Sequence, residues 1–439
     1  MPLRPLGQAS ADESSGAVSP YDADVGDRAL VVGGGAIGVA CAHYLAEEGF
    51  EVTLVERYEV GRGCSFANAG LICPGHSEAL PGPGVVAEGL RHLTRRDGPF
   101  TIRPRPDAAL TRWLIRFWRA STAEAYQRST EILVGLSRLG LELHDDLVRS
   151  GAASFGFRRG PLLQAFRSEG WRAAAEANVE EAEELGFEAR VLERDELLEL
   201  EPALAPEHQG GLVLEDQGSG DCFAFVRTLA EGLEARGVRV LEDTPVHRVL
   251  VRDGVATGVL AGDPEEEIDA DLVVLAAGAW TPAVAEPLGL RLPIQPATGY
   301  STTVPVWQGA PNLPVVLSEA RVIVLPLGDR VRFAGTLELG GFRREADPVR
   351  SKAVATAGAR ALRVPPPEGG AEHWFGFRPL MPDDLPAIGW APKVEGVLVA
   401  AGHGTLGFTQ SPATGKLVAE MATGTPTSLP VEPFRPDRF

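Results

Sequence analysis

From Arg28 onward the chain alternates short apolar runs with stretches whose apolar residues recur every three or four positions. The run ALVV reads as a buried strand. It passes through GGGAIG into VACAHYLAEEGF, where apolar positions keep helical spacing and Gly49 suits the helix stop. EVTLVE then alternates and is β-branched, which predicts a second strand. The segment 28–56 is therefore a βαβ unit. Downstream, the spacing predicts helix over 107–150, more helix within 170–198, and another over 223–236. VRVLEDTPVHRVLVRDGVATGVLA is strand-like, and DLVVLAAGAW reads as a buried strand ending at small residues. TGYSTTVPVWQGAPNLPVV and RVIVLPLGDRVRFAGTLELG read as antiparallel strands joined by turns. No internal repeat is visible. The order predicts an α/β protein of two interleaved domains, with the nucleotide fold assembled from separated pieces.

Composition narrows the partners. The 439 residues carry 41 basic and 60 acidic side chains, a net charge of −19. Such a body repels nucleic acid and anionic lipid. No apolar run is long enough to span a bilayer. Cys41, Cys64, Cys73 and Cys222 make no metal-type or redox pair, so no metal is expected and a reducing, cytoplasmic setting fits. Residues 1–26 are rich in Ser, Ala, Asp and Pro, lack the apolar core of a signal peptide, and read as a disordered N-terminal extension.

Gly33, Gly35 and Gly38 spell G-x-G-x-x-G between the first strand and helix. The first glycine permits the tight turn, the second lets backbone approach a pyrophosphate, and the third lets helix pack on strand. The helix N-terminus favours the negative charge. Glu56 ends the second strand, where a carboxylate accepts from ribose hydroxyls and disfavours a 2′-phosphate. The fingerprint alone leaves NAD and FAD open. RGCSFANAG, residues 62–70, follows with small residues and donors. It is either a plain loop or one that lets backbone pass close to a ring, with Ser65 and Asn68 in reach of cofactor polar atoms.

Six blocks in order carry a resemblance: VVGGGAIGVACAHYLAEEGFEVTLVE, SFANAGLICPG, GYSTTVP, RFAGTLELGG, WFGFRPLMPDDLPAIG and AGHGTLGFTQSPATGKLVAE. With them the chain resembles the FAD-dependent D-amino-acid oxidase superfamily, and within it the D-amino-acid dehydrogenase branch. The resemblance implies a doubly wound, Rossmann-like FAD-binding domain over 27–100, 206–290 and 371–430. It implies an interleaved α+β substrate domain with a mixed, largely antiparallel sheet over 101–205 and 291–370, and a tail from 431 to 439. Gly33, Gly35, Ala36, Ile37 and Gly38 would hold the pyrophosphate of FAD, and Glu56 and Arg57 the adenosine half. Val246 would meet the adenine through its backbone. Ser65, Asn68, Ala69, Gly70 and Leu71 would line the flavin, with Ala277 and Gly278 beside it. Gly402, His403, Gly404, Thr405, Leu406 and Gly407 would run under the ring, and Gly376 would also border the cofactor. The chain departs from the family at Thr298, where lysine is frequent, at Phe408, where tryptophan is frequent, and from His76 onward.

The implied substrate is a D-amino acid or a cyclic D-imino acid such as D-hydroxyproline. Hydride would pass from Cα to flavin N5 and leave an imine, then a 2-oxo acid. Arg378 is the candidate carboxylate clamp, because a guanidinium offers a planar pair of donors; the alternative is an arginine bridging to Asp383 or Asp384. Tyr300 either donates to the same carboxylate or packs as a strand tyrosine. His76 is a weaker candidate for touching substrate. His403, between two glycines, suits a backbone contact better than a base. Electrons would pass to a quinone, a dye-like carrier or oxygen. Rival readings are an oxygen-using glycine or sarcosine oxidase, a hydroxy-acid dehydrogenase on the same scaffold, and a non-catalytic flavoprotein. TRWLIRFWRA, residues 111–120, reads first as an amphipathic helix packed on the substrate domain; the alternative is a peripheral contact with the inner membrane.

Overall fold

A computed structural model describes residues 27–85, 100–103 and 105–439. The expected disordered extension, residues 1–26, lies outside the described residues. Strand β1 (Arg28–Val32), helix α1 (Ala36–Glu47) and strand β2 (Glu51–Val55) form the βαβ unit. Gly49 follows the helix at φ +93°, the left-handed turn that a stop here requires. Arg28–Val32 pairs in parallel with Glu51–Val55 on one side and with the apolar strand Leu272–Leu275 on the other. The last of these is fully buried, as its unbroken apolar run LVVL requires. Strands Arg239–Leu241, Val397–Ala401 and Ala387–Trp390 complete a six-stranded sheet. Its strands come from three separated stretches of chain. The C-terminal helix Gly407–Thr423 packs against α1 on one face of this sheet, and their contact is part of the largest apolar core.

A second, ten-stranded sheet is mixed and largely antiparallel. Next to its edge strand Glu372–Leu380 runs the long strand Gln295–Pro305, buried from Gln295 to Val304 and paired on its other side with Arg330–Leu339. Gly210–Ser219 and Glu372–Leu380 were expected in the nucleotide-binding part, yet both pair within this sheet. An apolar run announces a strand but not the sheet it joins, since the partner lies far away in sequence. The predicted helix over 107–150 is two helices, Ala108–Ala120 and Ala123–Arg149, separated by Ser121 and Thr122; Thr122 caps the second. In the first, Leu110 and Trp113 are buried, so the helix packs inward along one face. Among the described residues, no helix is long and apolar enough to cross a membrane.

Glu338 anchors the inner edge of the second sheet. Its carboxylate has no exposed surface. It accepts from the Tyr300 hydroxyl at 3.0 Å and faces Arg343 and Arg350, each at 3.2 Å, as well as Arg103. One buried acid thus ties Phe100–Ile102, Gln295–Pro305, Arg330–Leu339 and helix Pro348–Arg360 together. A buried charge cluster of this kind is costly to break, because removing one partner strands the others. Glu338→Gln should therefore lower unfolding stability by about 3 kcal/mol. Denaturant unfolding measures it; a loss under about 0.5 kcal/mol, the size of an ordinary surface substitution, would contradict the role.

Candidate active site

The two sheets enclose one large cavity of about 1200 Å³. It exceeds the roughly 300–1,000 Å³ of ordinary small-ligand clefts, so there is room for a long ligand and a second, small one. At one end lie Gly33, Gly34, Gly35, Ala36 and Ile37, with Glu56, Arg57, Val246, Ala277 and Gly278 around them. In the middle are Ser65, Asn68, Ala69 and Leu71 opposite Gly402, His403, Gly404, Thr405, Leu406 and Gly407. At the far end are Arg378, Gly376, Tyr300 and His76. Gly38 sits behind the wall: a Cβ there would lie 1.7 Å from the Gly33 carbonyl oxygen, so only glycine lets the helix start this close to the strand. Gly70 is also held behind the wall, its N–H donating to the Asn68 side-chain oxygen at 2.7 Å.

The first end fits a dinucleotide in its donor set. Glu56 accepts from the N–H groups of Gly34 at 2.8 Å and Tyr58 at 3.1 Å. A carboxylate has about four acceptor positions, so two remain for ribose hydroxyls. The Arg57 guanidinium lies 3.8 Å over the Trp280 ring, which makes a flat cationic shelf. Ser65 is not free to reach out with its oxygen alone: Oγ accepts from the Ala36 N–H at the helix start, at 3.0 Å. The Asn68 carbonyl accepts from Arg332 at 2.8 Å, which fixes the loop that carries Ala69. His403 is buried, and desolvation pushes its imidazole down to about 3. One ring nitrogen pairs with the Thr414 hydroxyl at 2.9 Å. A buried ring paired in this way ties the loop to the C-terminal helix. Phe408 turns away into an aromatic cluster with His144, Phe155 and Phe225. His144, which the sequence did not flag, meets the Phe408 carbonyl at 2.9 Å and so holds the first turn of the C-terminal helix.

Arg378 is the chemically exposed feature of the far end. It faces the cavity, and no acidic side chain among the described residues pairs with it. The two bridges considered from sequence do not form. Asp383 binds Arg438 at 2.8 Å, and Asp384 accepts from the Leu80 N–H at 2.8 Å. The guanidinium donates to the Thr336 carbonyl at 2.6 Å, and burial pulls it down to about 10. That carbonyl is aimed by a bulge. Thr298 pairs with Glu338 but Tyr300 with Gly335, so Thr336 and Leu337 stand opposite Gly299 alone. Thr336 sits at φ +65°, a conformation a β-branched residue rarely adopts. Gly335-Thr336 inside a strand pattern was the available signal for it.

Tyr300 borders the cavity, but its side chain points away from Arg378. Arg378 is directly across from Ala297, so its side chain shares a sheet face with Ala297 and Gly299, and Tyr300 points to the other. Its ring joins the core with Phe333 and Val354, and its hydroxyl is taken by Glu338 and Arg343. Of the two sequence options this is the packed strand tyrosine, and period-two alternation is the reason. His76 does face the cavity, with two-fifths of its side chain exposed and Nδ1 3.3 Å from Glu78. Two further groups were missed from sequence. Cys64 lines the cavity and accepts from the Phe377 N–H at 3.2 Å. Asp384, beside Gly404, is buried, and desolvation lifts its carboxyl to about 7.

Known proteins match this chain over nearly its whole length. The family described as FAD dependent oxidoreductase matches residues 28–421. A protein of Bradyrhizobium diazoefficiens named D-amino acid dehydrogenase is 33% identical over 422 residues, covering 94% of this chain and 99% of its own. One of the same name from Cereibacter sphaeroides is 36% identical over 403 residues, covering 90% and 92%. Among solved structures, glycine oxidase from Geobacillus kaustophilus aligns with a TM-score of 0.72 at 22% identity, over 94% of this chain and 98% of that one. L-proline dehydrogenase from P. horikoshii aligns with a TM-score of 0.71 at 21% identity, over 94% and 97%. The two structures establish the shared fold, which is the mixed α/β fold expected from sequence.

Two outcomes follow from the geometry. A Cβ on Gly299 would lie 2.3–2.7 Å from the Arg378 guanidinium, whose flexible end must move aside. Gly299→Ala should leave folding nearly intact and lower kcat/KM by up to about a hundredfold, as a misplacement near 1 Å can. Unchanged steady-state kinetics would refute the packing. Asp384 binds a proton more tightly folded than unfolded, so stability falls as pH rises from about 4 to 7. Asp384→Asn should flatten that slope and raise stability above pH 7. Thermal unfolding across pH tests it, and parallel curves for the two proteins would count against it.

Proposed function

This chain belongs to the FAD dependent oxidoreductase family, and from that premise we propose that it oxidises D-amino acids as a dehydrogenase. The observation that carries the reading is the buried guanidinium of Arg378, with no acidic partner among the described residues, in the cavity that also holds the glycine cradle. A desolvated cation with no carboxylate of its own is a receptor for one supplied by substrate. The relatives named D-amino acid dehydrogenase, which cover nearly the whole chain, support an amino acid as the bearer of that carboxylate and D as its hand.

FAD, when bound, supplies the acceptor for the two electrons and hydrogen that leave Cα. The protein's own residues orient and exclude. Arg378 fixes the substrate carboxylate, and Thr336 fixes Arg378. Gly33, Gly35, Ala36 and Ile37 with Glu56, Arg57 and Val246 hold the dinucleotide end, with Gly38 allowing the close approach. Ser65, Asn68, Ala69, Gly70, Leu71, Ala277, Gly278, Gly376 and the loop Gly402–Gly407 frame the ring. His76 borders the substrate side. In this reading the boundaries that matter are the two sheets: the six-stranded one binds cofactor, and the ten-stranded one binds substrate. The electron acceptor is a quinone or dye-like carrier in preference to oxygen, in keeping with the relatives' name. Ile115 and Trp118, 46% and 64% exposed on helix Ala108–Ala120 near exposed Arg112 and Arg119, support a peripheral contact with the inner membrane from the cytoplasm.

Arg378→Ala should keep FAD bound, raise KM and lower kcat/KM by about 2–5 kcal/mol, the loss expected when one partner of a buried charge pair is removed. Arg378→Lys should restore little, since an ammonium lacks the planar fork. Steady-state kinetics with a D-amino acid panel measures both; wild-type kinetics in either variant would sink the anchor.

A further inference from the structure

The wall beside Arg378 is hydrocarbon. Ala297 stands directly across from Arg378 on one side and from Leu339 on the other, so Leu339 occupies the same sheet face two strands away. Trp113 packs on Ala297, Leu339 and Leu380 as one core cluster, with Phe117 and Leu337 joined to it. All of these except Ala297 also line the cavity. The polar atom of this wall is already used: the Trp113 indole N–H donates to the Leu380 carbonyl at 3.1 Å. Trp113 and Phe117 stack at 5.1 Å with their planes 18° apart. His76 and Glu78, also on the cavity lining, pair with each other at 3.3 Å.

We propose that this site selects substrates with a bulky apolar side chain, aromatic or branched, seated on Trp113, Phe117, Leu337 and Leu339. The proposal rests on Arg378 as the carboxylate anchor. Once the carboxylate is fixed there, the substrate's side chain meets a surface that offers no hydrogen bond and gains by losing water. A charged side chain on that surface would be desolvated without a partner. A small one would leave the wall wet. Each methylene that fills such a pocket is worth roughly 10–200-fold in selection.

The test uses unreactive carboxylates, which separates binding from turnover. Propionate is D-alanine without its amine, and 3-phenylpropionate is D-phenylalanine without its amine. Calorimetry on the full-length protein loaded with FAD should find 3-phenylpropionate at least about tenfold tighter than propionate. Phe117→Ala should shrink that ratio to less than about threefold, and Leu337→Ala should do the same should the first variant not fold. Arg378→Ala should weaken both acids and leave their ratio. Kinetics should follow, with kcat/KM for D-phenylalanine and D-leucine above D-alanine, and D-aspartate and D-lysine below it. A wild-type ratio near one, a ratio that the wall variants leave intact, or a preference for D-lysine overturns the proposal. Loss of all binding dependence on Arg378 instead overturns the anchor reading beneath it.

Discussion

A buried guanidinium facing a cavity, with no acidic partner among the described residues, is the constraint around which this molecule is arranged. Burial disfavours the charge of Arg378 strongly enough to lower its proton affinity. The fold answers with one carbonyl, that of Thr336, and with the space left by Gly299. Neither neutralises the charge. The bulge that turns the Thr336 carbonyl inward puts a β-branched residue in a left-handed conformation, a cost of about 1–3 kcal/mol that persists only where surrounding structure enforces it. That enforcement comes from Glu338, two residues on, which is pinned by Tyr300 and three arginines. The orientation of the anchor is thus set by a buried ion cluster on the far face of the same sheet.

The other half of the site is built on the opposite logic. Around Gly33 and Gly38 there is almost no side chain, and close approach of backbone supplies the donors. Glu56 is held from two sides by N–H groups, and Arg57 lies flat on Trp280, so neither depends on a ligand for its position. The glycine half is therefore preorganised for a ligand that brings phosphates and hydroxyls, and the Arg378 half for one that brings a carboxylate. A cavity joining the two is what an enzyme needs to hold a dinucleotide and an amino acid at once.

Sequence reached these halves unequally. The glycine cradle and Glu56 were legible because backbone geometry admits few residue types there. Arg378 was legible through its block, although only the structure removes Asp383 and Asp384 as its partners. Tyr300 was ambiguous because a hydroxyl in a strand says nothing about which face it takes; register with Glu372–Leu380 decides it. Glu338 was silent, since its partners come from stretches far apart in the chain. The strands Gly210–Ser219 and Glu372–Leu380 looked like any others until their neighbours were known. Local demands are written locally, whereas pairings that close over long loops are not.

One measurement reaches bound FAD, the amino-acid donor and its D configuration together. Separate samples of purified protein are titrated anaerobically with the D or the L form of one apolar amino acid while the absorbance of the bound flavin is followed. The account predicts bleaching by the D form and none by the L form. Bleaching by the L form alone, or by neither, would contradict it.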